Sequence, residues 1–124
     1  MSFLYGEQMK QLEQTIQRNC INWYKRNYPN NYIRKNEQIL KSGDPDIVIC
    51  HNGVFVAIEM KQVGKHPTPL QRLKLDRILA SGGVCGVAHS LEEFKDIIHK
   101  AEGYSDTELN YDTVYEEVGG TSDD

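Results

Sequence analysis

Met9, Leu12, Ile16, Cys20 and Trp23 recur at three- and four-residue spacing. That spacing predicts a helix from about Tyr5 to Tyr24 with a single apolar stripe. Asn27, Tyr28, Pro29, Asn30 and Asn31 end it with turn-forming residues. Tyr32 to Asn36 reads as a short edge strand, and Ser42-Gly43-Asp44-Pro45 as a turn. Two β-branched runs follow, Asp46 to Cys50 and Val54 to Lys61, separated by Asn52-Gly53. This pair suits a two-residue hairpin turn, in which both positions need positive φ.

Gln62 to His66 reads as a loop. Thr68 is a good N-cap, and Pro69 suits the first helical position, where no N–H is required. The helix is expected to run to about Ser81, with Leu70, Leu73, Ile78 and Leu79 available to the core, and Gly82-Gly83 to end it. Val84 to Ala88 reads as a buried strand. Ser90 and Glu93 form a capping-box pattern for a last helix, about Leu91 to Glu102, closed by Gly103. The order α-β-β-β-α-β-α, with a hairpin and then a crossover helix, implies an α/β fold: a mixed central sheet flanked by helices. The chain has no internal repeat and no low-complexity segment.

A length of 124 residues is one domain's worth. The net charge of −4 argues at first against a polyanionic partner. Its distribution changes that. Residues 1–104 hold 14 basic residues against 11 acidic, a net +3, while Ser105 to Asp124 hold seven acids and no Lys or Arg. We therefore divide the chain into a domain, 1–103, and an acidic tail, 104–124. Tyr111, Val114, Tyr115 and Val118 have helical spacing within that tail, which suits docking on the body or on a partner. A mildly basic body is compatible with a nucleic acid. No apolar run approaches the ~20 residues needed to cross a bilayer, so no membrane partner is expected. Met1 to Lys10 lack a basic region followed by an apolar stretch, so no secretory signal is expected. Cys20, Cys50 and Cys85 lie in apolar stretches without metal-ligand spacing. They read as reduced core residues of a cytoplasmic protein rather than a zinc site.

The hairpin gathers the candidate chemistry. If Asn52-Gly53 is the turn, His51 pairs with Val54, Cys50 with Phe55, Val48 with Ala57 and Asp46 with Glu59. Opposed side chains share a face, and strand period two adds Lys61 to it. The other face presents Ile47, Ile49, Val56 and Ile58 as a core surface. Two adjacent carboxylates repel unless a cation sits between them, and hard oxygen ligands suit Mg²⁺ or Mn²⁺. Such a metal acidifies water and neutralises a phosphate oxygen, and a lysine beside it offsets transition-state charge. This is the chemistry of phosphodiester hydrolysis. A solvated Asp/Glu pair neutralised by lysine is the plainer alternative. It does not account for charges clustered at the end of two otherwise apolar strands.

Gly43-Asp44-Pro45-Asp46, a hydrophobic hairpin and Glu59-Met60-Lys61 together resemble the Pro-Asp…Glu-x-Lys signature of restriction-endonuclease-like nucleases. Gly64, Pro69, Gln71, Gly82-Gly83 and Ser90-Leu91-Glu92-Glu93-Phe94 narrow the resemblance to the VRR-NUC family, the virus-type replication-repair nucleases. It covers roughly Glu13 to Phe94. The resemblance implies a restriction-endonuclease-like core, Mg²⁺ or Mn²⁺ dependence and DNA cleavage. Small stand-alone members resemble phage or bacterial homodimers that act on branched DNA, including four-way (Holliday) junctions. Asp46, Glu59, Met60 and Glu13 become the implied metal positions, with Lys61 and Gln71 completing the catalytic set. Glu13 lies in Glu13-Gln14-Thr15-Ile16-Gln17, which matches the family's first-helix glutamate; Glu7 is a weaker substitute. The competing readings are an exposed helix glutamate near Lys10 for Glu13, and a side chain bonded to its own backbone for Gln71.

Asp44 either holds the turn or binds metal through water. His51 is expected to be a turn residue, and His66 and His89 structural ones. Lys65, Lys74 and Arg77 are candidate phosphate contacts or a solvated helix face. Trp23, Tyr24 and Tyr28 can stack on bases, though core packing suits Trp23 better. Two alternatives stay open. One is a non-catalytic DNA-binding or assembly subunit that keeps the fold. The other is a nuclease acting on RNA.

Overall fold

The protein was analysed as a computed structural model, which describes residues 2–37 and 43–106. Seven elements follow the anticipated order: α1 (Ser2–Asn27), β1 (Tyr32–Lys35), β2 (Ile47–His51), β3 (Val54–Met60), α2 (Pro69–Ala80), β4 (Val84–Ala88) and α3 (Leu91–Asp106). The four strands form one sheet in the order β1-β2-β3-β4. The first three are antiparallel neighbours, and β4 runs parallel to β3 after the α2 crossover. The result is a mixed α/β sheet with helices on both faces.

The hairpin forms as its sequence requires. Asn52 (φ 50°) and Gly53 (φ 90°) both adopt positive φ. The register pairs His51 with Val54, Cys50 with Phe55 and Val48 with Ala57. Alternation then sorts the side chains between two cores. On one face Ile47, Ile49, Val56 and Ile58 pack against Cys20 and Tyr24 of α1 and Phe94 and Ile98 of α3. On the other, Ala57 and Cys85 pack against Leu75 and Leu79 of α2. α3 lies close to the sheet at Gly86, where an added Cβ would sit 2.6 Å from Ile97.

Several expectations need correction. Leu70 and Leu73 are 43% and 47% exposed, and Leu75 and Leu79 are the buried leucines of α2. Successive helical residues rotate by about 100°, so Leu73 lies about 200° from Leu75 and cannot share its inward face. Cys50 is exposed rather than core, because it lies on the α2 face beside Phe55, itself 49% exposed. α1 extends beyond the expected Tyr5–Tyr24 at both ends. α3 does not close at Gly103 but continues to Asp106, across the expected domain–tail boundary. Only half of the Ser90/Glu93 capping box forms. The Glu93 N–H donates to Ser90 Oγ at 3.2 Å, while the Glu93 carboxylate accepts from the His89 N–H at 2.8 Å. The expectations for Tyr111, Val114, Tyr115 and Val118 lie outside the described residues.

The turn end of the hairpin holds a buried polar network. His51 is fully buried, not a surface turn residue. Its Nε2 lies 3.1 Å from Glu102 Oε2 and its Nδ1 2.6 Å from the Tyr24 hydroxyl. A carboxylate only accepts, so Nε2 carries the proton and Nδ1 accepts from Tyr24. Asn31 Nδ2 donates to Tyr24 Oη at 3.0 Å, and the Tyr28 hydroxyl donates to Glu102 at 3.0 Å. Tyr24 is therefore core, stacked on Tyr28 at 4.9 Å, and offers no face to a base. The network ties the ends of α1, β2 and α3 together at the pole opposite Asp46 and Glu59.

Candidate active site

The Gly43–Asp46 loop is built to approach α2 closely. Gly43 has φ 88°, and a Cβ there would meet Leu70 Cγ at 2.7 Å, so glycine is required on both counts. Asp44 then pairs with Lys74 at 2.8 Å, fixing the loop to the helix. The Asn36 N–H donates to the Asp46 carbonyl at 2.7 Å, and Asn36 Nδ2 donates to the Pro45 carbonyl at 3.3 Å. These bonds set the Asp46 backbone just before β2. Its side chain turns into the sheet, where Asp46 Oδ2 accepts the Met60 N–H at 2.8 Å.

Glu59 is the next-to-last residue of β3, one step beyond the Ile47–Ile58 pair, and thus opposite Asp46. It is 3% exposed. Its Oε2 lies 3.9 Å from Lys61 Nζ, and its Oε1 is buried without a hydrogen-bond partner. The Lys61 N–H donates to the Ala88 carbonyl at 3.0 Å, so the parallel β4 holds the lysine in line after the strand ends. Asp46, Glu59 and Lys61, the sequence-derived triad, are brought together.

The electrostatics follow from burial. Desolvation, and then the Asp46 charge, push Glu59 up to about 8 from the usual carboxylate range. Asp46 is also raised, first by burial, against the stabilising Met60 N–H. Lys61 lowers both and Glu13 raises both. Two carboxyls in this setting hold one proton between them or share a cation.

Glu13 reaches the same end of the sheet from α1. Its Oε1 accepts from Gln62 Nε2 at 3.3 Å. Gln62, which the sequence did not single out, is thus part of the site's margin; adjacency to Lys61 was its one signal. A cleft of about 30 Å³ lies here, lined by Met9, Leu12, Glu13, Met60, Lys61 and His89, among others.

Other candidates are placed differently. Gln71 Oε1 accepts the Thr68 N–H at 2.9 Å, while the Gln71 N–H donates to Thr68 Oγ1 at 3.2 Å. Its side chain completes a full capping box instead of turning to Glu59. Lys74 is committed to Asp44. His89 has both ring nitrogens on acceptors, Glu93 Oε1 at 2.8 Å and the Lys65 carbonyl at 3.0 Å, and so pins the 62–66 loop. Lys65 and His66 are exposed on that loop. Arg77 is at the far end of α2, lining a larger groove of about 540 Å³ that contains none of the triad.

The donor set was tested against a divalent cation. Hard carboxylate oxygens match Mg²⁺ or Mn²⁺, and the orphaned Glu59 Oε1 is a buried acceptor that a cation would satisfy. Among the described residues no three acidic, histidine or cysteine side chains converge as a ready-made ligand cluster. Mg²⁺ bound through one or two carboxylates, with water and phosphate completing its shell, needs no such cluster. The Asp46–Glu59 pair fits that mode, with Glu13 hydrogen-bonded to Gln62 at its margin.

No protein-family model matches the chain, and no curated protein matches it. A solved structure described as a "VRR_NUC domain" does match. The alignment covers 70% of this chain and 94% of that one, with a TM-score of 0.59 at 22% identity. The chain therefore has the fold of a VRR_NUC domain, a restriction-endonuclease-like α/β architecture, with its Asp46–Glu59–Lys61 constellation at the sheet end away from the hairpin turn.

Proposed function

We propose that this chain is a Mg²⁺- or Mn²⁺-dependent nuclease of the VRR-NUC family that hydrolyses phosphodiester bonds in DNA. The carrying observation is the buried Asp46–Glu59 pair, with one orphaned oxygen and Lys61 at 3.9 Å. A buried acceptor without a donor costs stability, about 1–3 kcal/mol. A proton shared with Asp46 relieves part of that cost while Glu59 stays protonated, and a divalent ion would relieve it where both carboxyls are ionised.

Asp46 and Glu59 would hold the ion, with Met60 between Glu59 and Lys61 as the further implied position. The chemistry a divalent ion supplies when bound is Lewis acidity toward a phosphate oxygen and an acidified water. Asp46 is kept in one orientation by the Met60 N–H. Lys61, only 19% exposed, places an ammonium where charge builds on the phosphoryl oxygens. Glu13 approaches from α1 as a third carboxylate, oriented by Gln62. Lys65, exposed on the loop that follows Lys61, remains a candidate phosphate contact. A homodimer acting on branched DNA is the form the family resemblance favours, since one small domain contacts little of a large junction.

The test is direct. The purified protein is incubated with linear duplex, single-stranded, flap and four-way-junction DNA in Mg²⁺, Mn²⁺ or EDTA. Metal-dependent cleavage that is lost in Glu59→Gln and Lys61→Ala supports the proposal. Cleavage unaffected by EDTA, or DNA binding without cleavage in either metal, overturns it; the latter is the behaviour of a binding subunit.

A further inference from the structure

The larger groove lies at the opposite pole from the carboxylates. Gly53, Val54 and Phe55 form one wall, and Arg77, Ile78 and Ser81 at the end of α2 form the other. Gly83 is its floor: a Cβ there would lie 2.9 Å from Ile78 Cγ2 and 3.2 Å from Phe55 Cδ2. Phe55 is thus seated by one edge and remains 49% exposed. Among the described residues no carboxylate is paired with Arg77, the cation of the last turn of α2. The groove is an apolar trough with a single guanidinium on its rim. A nucleic-acid strand brings a charge at every nucleotide and calls for a basic track, which one arginine does not provide.

The chain supplies a better occupant. Residues 107–124 contain six acids, no Lys or Arg, and the apolar residues Leu109, Tyr111, Val114, Tyr115 and Val118. The last four recur at three- and four-residue spacing, which groups them on one face if the segment is helical. The described chain ends at the groove's pole of the sheet, on the opposite face. Glu102 is bonded to His51, and His51 is two residues from Gly53 of the groove wall. α3 continues only to Asp106, about 6 Å further along its axis. From there eight residues extend up to about 26 Å, enough to pass round the end of the sheet to the α2 side.

We propose that residues 107–124 dock in this groove on their own molecule. Their apolar side chains would pack on Phe55 and Ile78, and an acid would pair with Arg77. This assigns Arg77 to the chain's own acidic segment rather than to phosphate. It is independent of whether the carboxylate site cleaves DNA.

The full chain is the test material. A nitroxide is attached through Tyr115→Cys in a Cys50→Ser background, since Cys20 and Cys85 are buried. ¹⁵N amide intensities are then compared with the label oxidised and reduced. The expected result is loss of the Gly53, Val54, Gly82 and Gly83 signals in the oxidised form, with Gly64 and Lys65 retained. Arg77→Glu should restore the lost signals, and added salt should restore them in part. Retention of all four signals overturns the proposal. So does loss centred on Lys61 to Lys65, which would put the acidic segment over the carboxylate site. Loss that persists when label and ¹⁵N are on separate molecules would assign the groove to a second copy and overturn docking in cis.

Discussion

Replacing Glu59 with Gln should make the metal-free protein more stable at neutral and alkaline pH, and should remove most of the pH dependence of its stability. The folded-state pKa is about 8, against an ordinary value of 4.5. Between these values the folded protein retains a proton that the unfolded chain has released. Stability then falls with rising pH by about 1.4 kcal/mol per unit. Integrated across the window, the loss is on the order of 5 kcal/mol once the pH is well above 8. Stability from this group is complete below pH 4.5 and is lost as pH rises toward 8. Glutamine keeps the shape and cannot ionise, and it also removes the charge that opposes ionisation of Asp46. Urea unfolding midpoints in EDTA, from pH 5.5 to 8.5, measure the effect. The wild-type midpoint should fall steadily and that of Glu59→Gln should stay nearly level. Calorimetric Mn²⁺ titration should show wild-type affinity rising with pH and the variant losing it. Equal pH slopes for the two proteins would refute the buried, proton-retaining Glu59 described above.

Lys61→Ala should lower kcat far more than DNA affinity, as measured by single-turnover cleavage beside binding in Ca²⁺. A loss of binding large enough to explain the lost activity would make Lys61 a phosphate contact. Thr68→Ala should cost about 1 kcal/mol through loss of the Thr68 Oγ1 acceptor for the Gln71 N–H, read from the urea midpoint. Gln71→Ala should abolish cleavage if Gln71 leaves the Thr68 N–H to act at the carboxylate site, and should leave it unchanged if Gln71 is only a cap. His51→Leu should destabilise the fold by about 1–3 kcal/mol, because the buried Tyr24 hydroxyl loses its acceptor. Metal affinity at the far pole should stay at the wild-type value in that variant.

The hairpin was legible because its turn chemistry and its period-two alternation agree, and together they fix which residue faces which. Asp46, Glu59 and Lys61 followed from counting alone. Long-range partners were not legible. Nothing local to His51 announces Glu102, 51 positions away, or Tyr24, 27 positions before it. Beside Asn52-Gly53 a histidine reads as surface, yet tertiary contacts bury it. Gln71 illustrates a different ambiguity. Its position three residues after Thr68 suits a capping box as well as a catalytic role, and the nearer backbone donor holds the side chain. Leu70 and Leu73 misled because apolar identity says nothing about azimuth when a helix carries leucines on several faces. Gly103 failed as a stop signal because no neighbouring residue forces the chain out of the helix there.

The Met60 N–H bond to Asp46 bears on how relatives of this chain are interpreted. The aspartate ties the end of β3 to the start of β2 as well as facing Glu59. A lineage that had given up cutting would still be pressed to keep Asp, or Asn, at this position for folding. Its persistence is therefore a poor marker of retained activity. Glu59 is the opposite case, a buried acid with an unanswered oxygen that the bare fold is better without. Genetic drift should erase it first once selection for chemistry relaxes. If the proposed function holds, the glutamate and not the aspartate should separate cutting from non-cutting homologues, which assays of relatives with and without it would check.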